Sequence, residues 1–157
     1  MKLLYAVIGG LAATAAMTAF LYLLSLFTHR VMKVIKILGT MLTNRTHPDG
    51  SLSDAVSTKV YGTVANYLVG IIFALFYIAL WHSGVGLINA SWGFLFGLAH
   101  GLTAMFIWYL FFLVHPRPPL IALRTYLVTL IFAHIVYGIV LTYTVYLLAH
   151  PEYSFWS

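Results

Sequence analysis

Cysteine is absent from the chain, which excludes disulfides, thiolate metal sites and cysteine nucleophiles. Acidic residues are nearly as scarce, three among 157, and none falls inside an apolar segment. Carboxylate pairs for general acid–base work are therefore missing, and a carboxylate-driven proton or sodium pump is disfavoured. Charge of either sign amounts to 7%, against about 25% in an ordinary soluble domain. A soluble fold could not cover a composition that is 62% hydrophobic with so few ionic groups. A bilayer asks for no such cover, because lipid tails solvate the surface.

What is present is four apolar segments, each long enough to span about 30 Å of hydrocarbon at about 1.5 Å per residue. They cover approximately residues 3–28, 60–81, 91–114 and 121–149. His29-Arg30, His82-Ser83-Gly84 and His150-Pro151 close the first, second and fourth. Pro116, Pro118 and Pro119 close the third, since proline cannot continue a helix. Met1-Lys2 and Ala13-Thr14-Ala15 resemble parts of a signal peptide. The apolar run, however, continues to Phe27, well past a signal core of about 7 to 15 residues, so a retained helix is expected. The fold class that follows is all-α: a polytopic four-transmembrane-helix bundle forming a single domain over residues 1–157.

Orientation follows from Lys and Arg. Residues 30–59 hold Arg30, Lys33, Lys36, Arg45 and Lys59, and the connection into the fourth segment adds Arg117 and Arg124. The opposite side has only Lys2. The rule for membrane orientation places both basic loops in the cytoplasm and both termini outside. Trp81, Trp92, Tyr153 and Trp156 would then form an outer aromatic belt. The net charge of +5 is thus explained by topology, and no nucleic-acid partner is expected.

The loop over 30–59 is the one sizeable polar segment. Val31, Val34, Ile35 and Leu38 alternate with Arg30, Lys33 and Lys36, the spacing of an amphipathic helix that continues helix 1 or lies on the cytoplasmic surface. These three basic residues are candidates for lipid headgroups, at about 1 kcal/mol each near anionic lipid. Pro48-Asp49-Gly50 reads as a turn, and Ser51 with Asp54 has capping-box spacing for the start of the next helix.

The first and third segments share a pattern: Gly10-Leu11-Ala12 through Ala16-Met17 and Tyr22 resembles Gly97-Leu98-Ala99 through Ala104-Met105 and Tyr109. In the second and fourth, Asn66 through Ile72 lies over His134 through Val140, and His82 over His150. Two pseudo-repeated hairpins, related by an axis along the bilayer normal, would follow. Small residues recur every fourth position: Ala6, Gly10, Thr14 and Thr18; Gly62, Asn66, Gly70 and Ala74; Gly93, Gly97 and Gly101; His134, Gly138 and Thr142. In lipid, such stripes mark contact faces.

An ionisable residue at bilayer depth is a functional-site hypothesis by default. Asn66, His100, His134 and Tyr137 are the candidates for a ligand-binding or polar core. His100 and His134 should stand at similar height on neighbouring antiparallel helices. Their bland role is hydrogen bonding between helices; the sharper ones are a ligand pathway or axial ligation of haem b by His100 and His134. No third ligand supports a zinc site. His29, His82, His115 and His150 read as interfacial.

Taken together, the Ala-Thr-Ala-Ala-Met run at 13–17, Asn66-Tyr67-Leu68-Val69-Gly70-Ile71, Gly97-Leu98-Ala99-His100-Gly101 and Ala133-His134-Ile135-Val136-Tyr137-Gly138 resemble a loose group of bacterial four-helix membrane proteins built on a domain without assigned function. That group often has histidine where this chain has Asn66. The resemblance implies a bacterial inner membrane and no particular activity. The expectation is a non-catalytic accessory subunit of a membrane complex or homo-oligomer, in contact with lipids and other subunits. The alternatives are a carrier or binding protein for a small lipophilic or cationic ligand, and a haem-binding electron-transfer subunit.

Overall fold

The computed structural model describes residues 2–149 and 151–156, and shows five helices and no strand among them. They are α1 (Lys2–Thr28), α2 (Val34–Leu42), α3 (Val56–His82), α4 (Ala90–Val114) and α5 (Leu123–Ala149). Four of them, α1, α3, α4 and α5, are long and apolar enough to cross a membrane. The chain is therefore a multi-pass helical bundle. His150 lies outside the described residues.

The helix ends follow local chemistry. His29 and Asn44 adopt left-handed conformations, with φ of 52° and 51°, and so stop α1 and α2 as a C-terminal cap does. Asn89 caps α4 by accepting from the Trp92 N–H at 3.1 Å. The capping box expected at Ser51 and Asp54 does not form. Residue Ala55 occupies the N-cap of α3 with no side-chain bond, because both partners are engaged elsewhere. Asp54 takes the Lys36 ammonium at 2.7 Å, and the Ser51 N–H donates to Asp49 Oδ1 at 2.9 Å, closing the turn at 48–50.

The amphipathic helix expected within residues 30–59 forms over 34–42. It does not prolong α1, which ends at Thr28, and it is set against the first turns of α3. A Cβ on Gly39 would strike the Thr58 carbonyl, and one on Gly62 the Ile35 carbonyl. The buried face is Val34, Ile37 and Met41, while Val31 is exposed. Buried hydroxyls complete the joint. The Ser53 N–H donates to Thr40 Oγ1 at 3.1 Å, the Thr58 hydroxyl donates to Ser53 Oγ at 3.1 Å, and the hydroxyls of Thr43 and Thr58 lie 3.3 Å apart. Arg30 and Lys33 precede the helix and stay exposed.

Both basic loops sit at one end. His115 donates from Nε2 to the Met41 carbonyl at 2.9 Å and accepts the Arg117 N–H at Nδ1 at 3.1 Å. The Thr46 hydroxyl reaches the Arg117 carbonyl at 2.6 Å, and the Leu120 N–H reaches the Gly50 carbonyl at 2.9 Å. At the other end the Ala90 N–H donates to the Phe155 carbonyl at 2.8 Å, and the Lys2 ammonium to His82 Nδ1 at 2.8 Å.

The spans are arranged as an arc in the order α3, α1, α5, α4. Small residues close three of its seams. A Cβ on Gly10 would lie 2.9 Å from Ile71 Cα, and one on Gly9 would lie 2.7 Å from Leu141 Cδ1. On the α4–α5 seam, a Cβ on Gly97 would stand 2.7 Å from the His134 carbonyl, and one on Gly101 2.8 Å from Ile131 Cα. The fourth seam is different: α3 and α4 hardly approach each other's backbone among the described residues.

Contacts also set a register for the two hairpins. Gly70 faces Gly10 and Thr14 as Gly138 faces Gly93 and Gly97; Asn66 meets Thr18 as the Cβ of His134 meets Gly101. Gly10 therefore corresponds to Gly93, one turn from the Gly97 that the sequence pattern suggests. A stripe repeating every four residues slides by one turn without losing its pattern, so sequence alone does not fix this register.

Replacing Gly97 with valine should lower stability by about 1–3 kcal/mol through overpacking, whereas Leu102→Val on the exposed face should change it by less than about 0.5 kcal/mol. Thermal melts in detergent compare the two. A second expectation concerns acid. The hydrogen bond and charge of Lys36 hold the Asp54 carboxyl below its ordinary value of 3.8. A lowered folded-state value means that the contribution is present above that ordinary value and lost as pH falls through the folded one. Asp54→Asn should therefore flatten the acid limb of the melting curve below about pH 4 and leave the neutral limb unchanged in slope.

Candidate functional site

The open seam holds a cavity of about 200 Å³, lined by residues from all five helices. Asn66, Val69, Gly70 and Phe73 face it from α3; His100, Ala104, Ile107, Trp108 and Phe111 from α4. From α5 come Leu130, His134 and Tyr137; Met17 of α1 closes the back, and Val34 and Leu38 of α2 form the floor toward the basic end. Val69 and Ile107 are 48% and 53% exposed, so the mouth lies between them and faces sideways, where the bilayer would be.

Each polar side chain is set by its helix. On α5, His134 and Tyr137 are three residues apart and share a face. His134 Nδ1 lies 2.7 Å from the Leu130 carbonyl. A carbonyl only accepts, so Nδ1 carries the proton and Nε2 is left as an acceptor. The Tyr137 hydroxyl donates across the cavity to the Gly70 carbonyl on α3. Asn66 donates from Nδ2 to Thr18 Oγ1 at 3.0 Å, tying α3 to α1.

His100 begins the other wall. Its ring meets that of His134 edge to face with centroids 4.4 Å apart, and stacks on Phe73 at 3.8 Å. The Tyr77 hydroxyl lies 3.5 Å from His100 Nδ1. Phe73 and His100 also line a second groove, of about 310 Å³, on the far side of the same seam. Their stack is the partition between the two spaces.

All four residues singled out for a polar core, Asn66, His100, His134 and Tyr137, thus line one cavity. Of the headgroup candidates, Arg30 and Lys33 are exposed at the basic end, while Lys36 is held by Asp54. No group of three metal-ligating side chains occurs among the described residues. Sequence reasoning passed over Phe73, Tyr77 and Trp108. The signal was present: Phe73 and Tyr77 stand seven and eleven positions after Asn66, hence on its face of the helix. They were hidden in an aromatic run that reads equally well as lipid-facing.

The hydroxyls of two buried tyrosines supply a contrast. That of Tyr137 is bonded, whereas that of Tyr126 is buried with no partner among the described residues. Tyr137→Phe should cost about 0.6–2 kcal/mol, and Tyr126→Phe should add about 1 kcal/mol by removing an unsatisfied group. Parallel unfolding measurements on the two variants, which delete the same atom, read the difference in sign.

Comparison with family models, with curated proteins and with solved structures returns no match.

Proposed function

We propose that this chain is a non-catalytic protein of the bacterial inner membrane that binds a small lipophilic molecule in the cavity between α3 and α4. The carrying observation is the cavity itself: about 200 Å³ at mid-span, sideways-facing, with Asn66, His100, His134 and Tyr137 on an otherwise apolar lining. Binding pockets combine apolar walls with a few convergent polar groups in this way. The positive-inside rule puts the basic end in the cytoplasm and both termini outside, with exposed Arg30 and Lys33 at the level of anionic headgroups.

The same geometry weighs on the competing readings. A role as an accessory subunit rests on the scarcity of catalytic groups together with small-residue and aromatic contact surface. Here Gly10, Gly70, Gly93, Gly97, Gly101 and Gly138 are all spent on contacts within the chain. Axial haem ligands stand on opposite faces of a macrocycle, while the rings of His100 and His134 meet directly at 4.4 Å. For chemistry on a bound lipid, no nucleophile paired with a base lines the cavity.

The test is retention. Full-length protein purified from bacterial membranes in mild detergent should carry a lipophilic compound in near-equimolar amount, measured by solvent extraction and mass spectrometry. Ala104→Trp fills the cavity and should reduce that compound at least about tenfold while keeping helical content and melting temperature. Identical lipid content in wild type and variant, with no compound above bulk lipid, would sink the reading.

A further inference from the structure

We infer that the cavity receives the ring of a neutral phenolic lipid, whose hydroxyl donates to His134 Nε2 and whose apolar tail leaves between Val69 and Ile107 into the bilayer. The inference rests on the binding reading above and assigns its ligand class.

Size sets the first limit. An apolar cavity of about 150 Å³ is enough for benzene, so about 200 Å³ admits one six-membered ring with small substituents. Any longer apolar part must stay outside, and the exposed lips at Val69 and Ile107 give it a route into hydrocarbon.

Hydrogen-bond polarity sets the second. With Nδ1 committed to Leu130, His134 offers only an acceptor, and Nε2 has no partner among the described residues. Asn66 uses one amide N–H on Thr18 and keeps its second N–H as well as Oδ1. Tyr137 spends its one proton on Gly70, so its oxygen can only accept further. Donors line it as well, in the second Asn66 N–H, the Trp108 indole N–H and His100. A phenol hydroxyl, which both donates and accepts, meets the acceptor on His134 and leaves its oxygen for these donors.

Charge sets the third. No Asp, Glu, Lys or Arg lines the cavity, so a cationic or anionic headgroup would sit at bilayer depth without a counter-charge, at a cost of several kcal/mol. The donor must belong to a neutral group. Aromatic walls from Phe73, Trp108 and Tyr137 suit a flat ring better than an aliphatic alcohol, since offset and edge-to-face contacts add to area burial.

The experiment compares two probes of equal tail on full-length protein in lipid nanodiscs: 4-nonylphenol and its methyl ether, 4-nonylanisole. Isothermal titration is corrected with empty nanodiscs. The phenol should bind about tenfold tighter, His134→Phe should bring the ratio close to unity, and His134→Gln, which keeps an acceptor, should restore part of it. Equal binding of both probes overturns the phenol assignment and leaves a lipophilic site standing. Binding of neither probe above empty nanodiscs overturns the binding reading as well. A preference that survives His134→Phe overturns His134 as the acceptor. The comparison on unmodified protein decides the ligand class even where a variant does not fold.

Discussion

Hydrocarbon accepts and donates no hydrogen bonds, and every other feature of this chain follows from that. Backbone groups must be satisfied within each span, which leaves helices as the elements. Nor do lipid tails push helices together, since a leucine is as comfortable against a tail as against another leucine. Close backbone approach therefore has to supply the packing. Gly10 against Ile71, Gly97 against His134 and Ile135, and Gly39 against Thr58 are the points where it does. The bundle is held at positions that have the least side chain.

This constraint also explains what could be read from the sequence. Core and lipid-facing surface are both apolar, so hydrophobic periodicity does not tell the inner face of a span from the outer one. Only residues that are costly in lipid, or pointless there, carry direction. The stripes through Gly10, Gly70, Gly97 and Gly138 and the polar group at 66, 100, 134 and 137 were legible for that reason. The spans themselves were legible from length and composition. Helix α2 was legible as an amphipathic segment but its seat was not, because a short amphipathic helix beside a membrane has many places to lie; its position against α3 is decided by Gly39 and Gly62 meeting carbonyls across the joint. Phe73, Tyr77 and Trp108 were illegible as site residues because an aromatic side chain is equally at home in lipid.

The site depends on the scaffold through a few fixed points. Close contact of Gly97 and Gly101 with α5 brings His100 and His134 to the same level on adjacent helices. The bond from His134 to the carbonyl of Leu130, in the preceding turn of the same helix, fixes the tautomer without help from another span. Tyr137 then reaches over the cavity to Gly70 and limits how far α3 and α5 can part. Polar atoms in hydrocarbon are ordinarily paired off between helices. Here Asn66 and Tyr137 make such bonds, His134 bonds within its own helix, and all three also line the space between α3 and α4.

The location of that space has its own cause in the sequence. In the contact register of the two hairpins, Gly9 and Ala13 of α1 correspond to Trp92 and Phe96 of α4, and Leu141 and Val145 of α5 correspond to Phe73 and Tyr77 of α3. Gly9 lets α1 close on Leu141 and Val145. The equivalent seam between α4 and α3 instead meets through rings, Tyr77 on Phe96 with centroids 5.3 Å apart and Phe73 on His100 at 3.8 Å. Rings of that size keep two backbones apart where glycine and alanine would let them touch. A bundle of two alike hairpins would have four seams in two equivalent pairs; bulk at Phe96, Phe73 and Tyr77 props one member of a pair open. Toward the basic end of the same seam Gly70 and Ala104 are too small to fill the gap so created. The cavity is thus the difference between two versions of one interface, wedged at one end by aromatic side chains and left empty at the other by small ones.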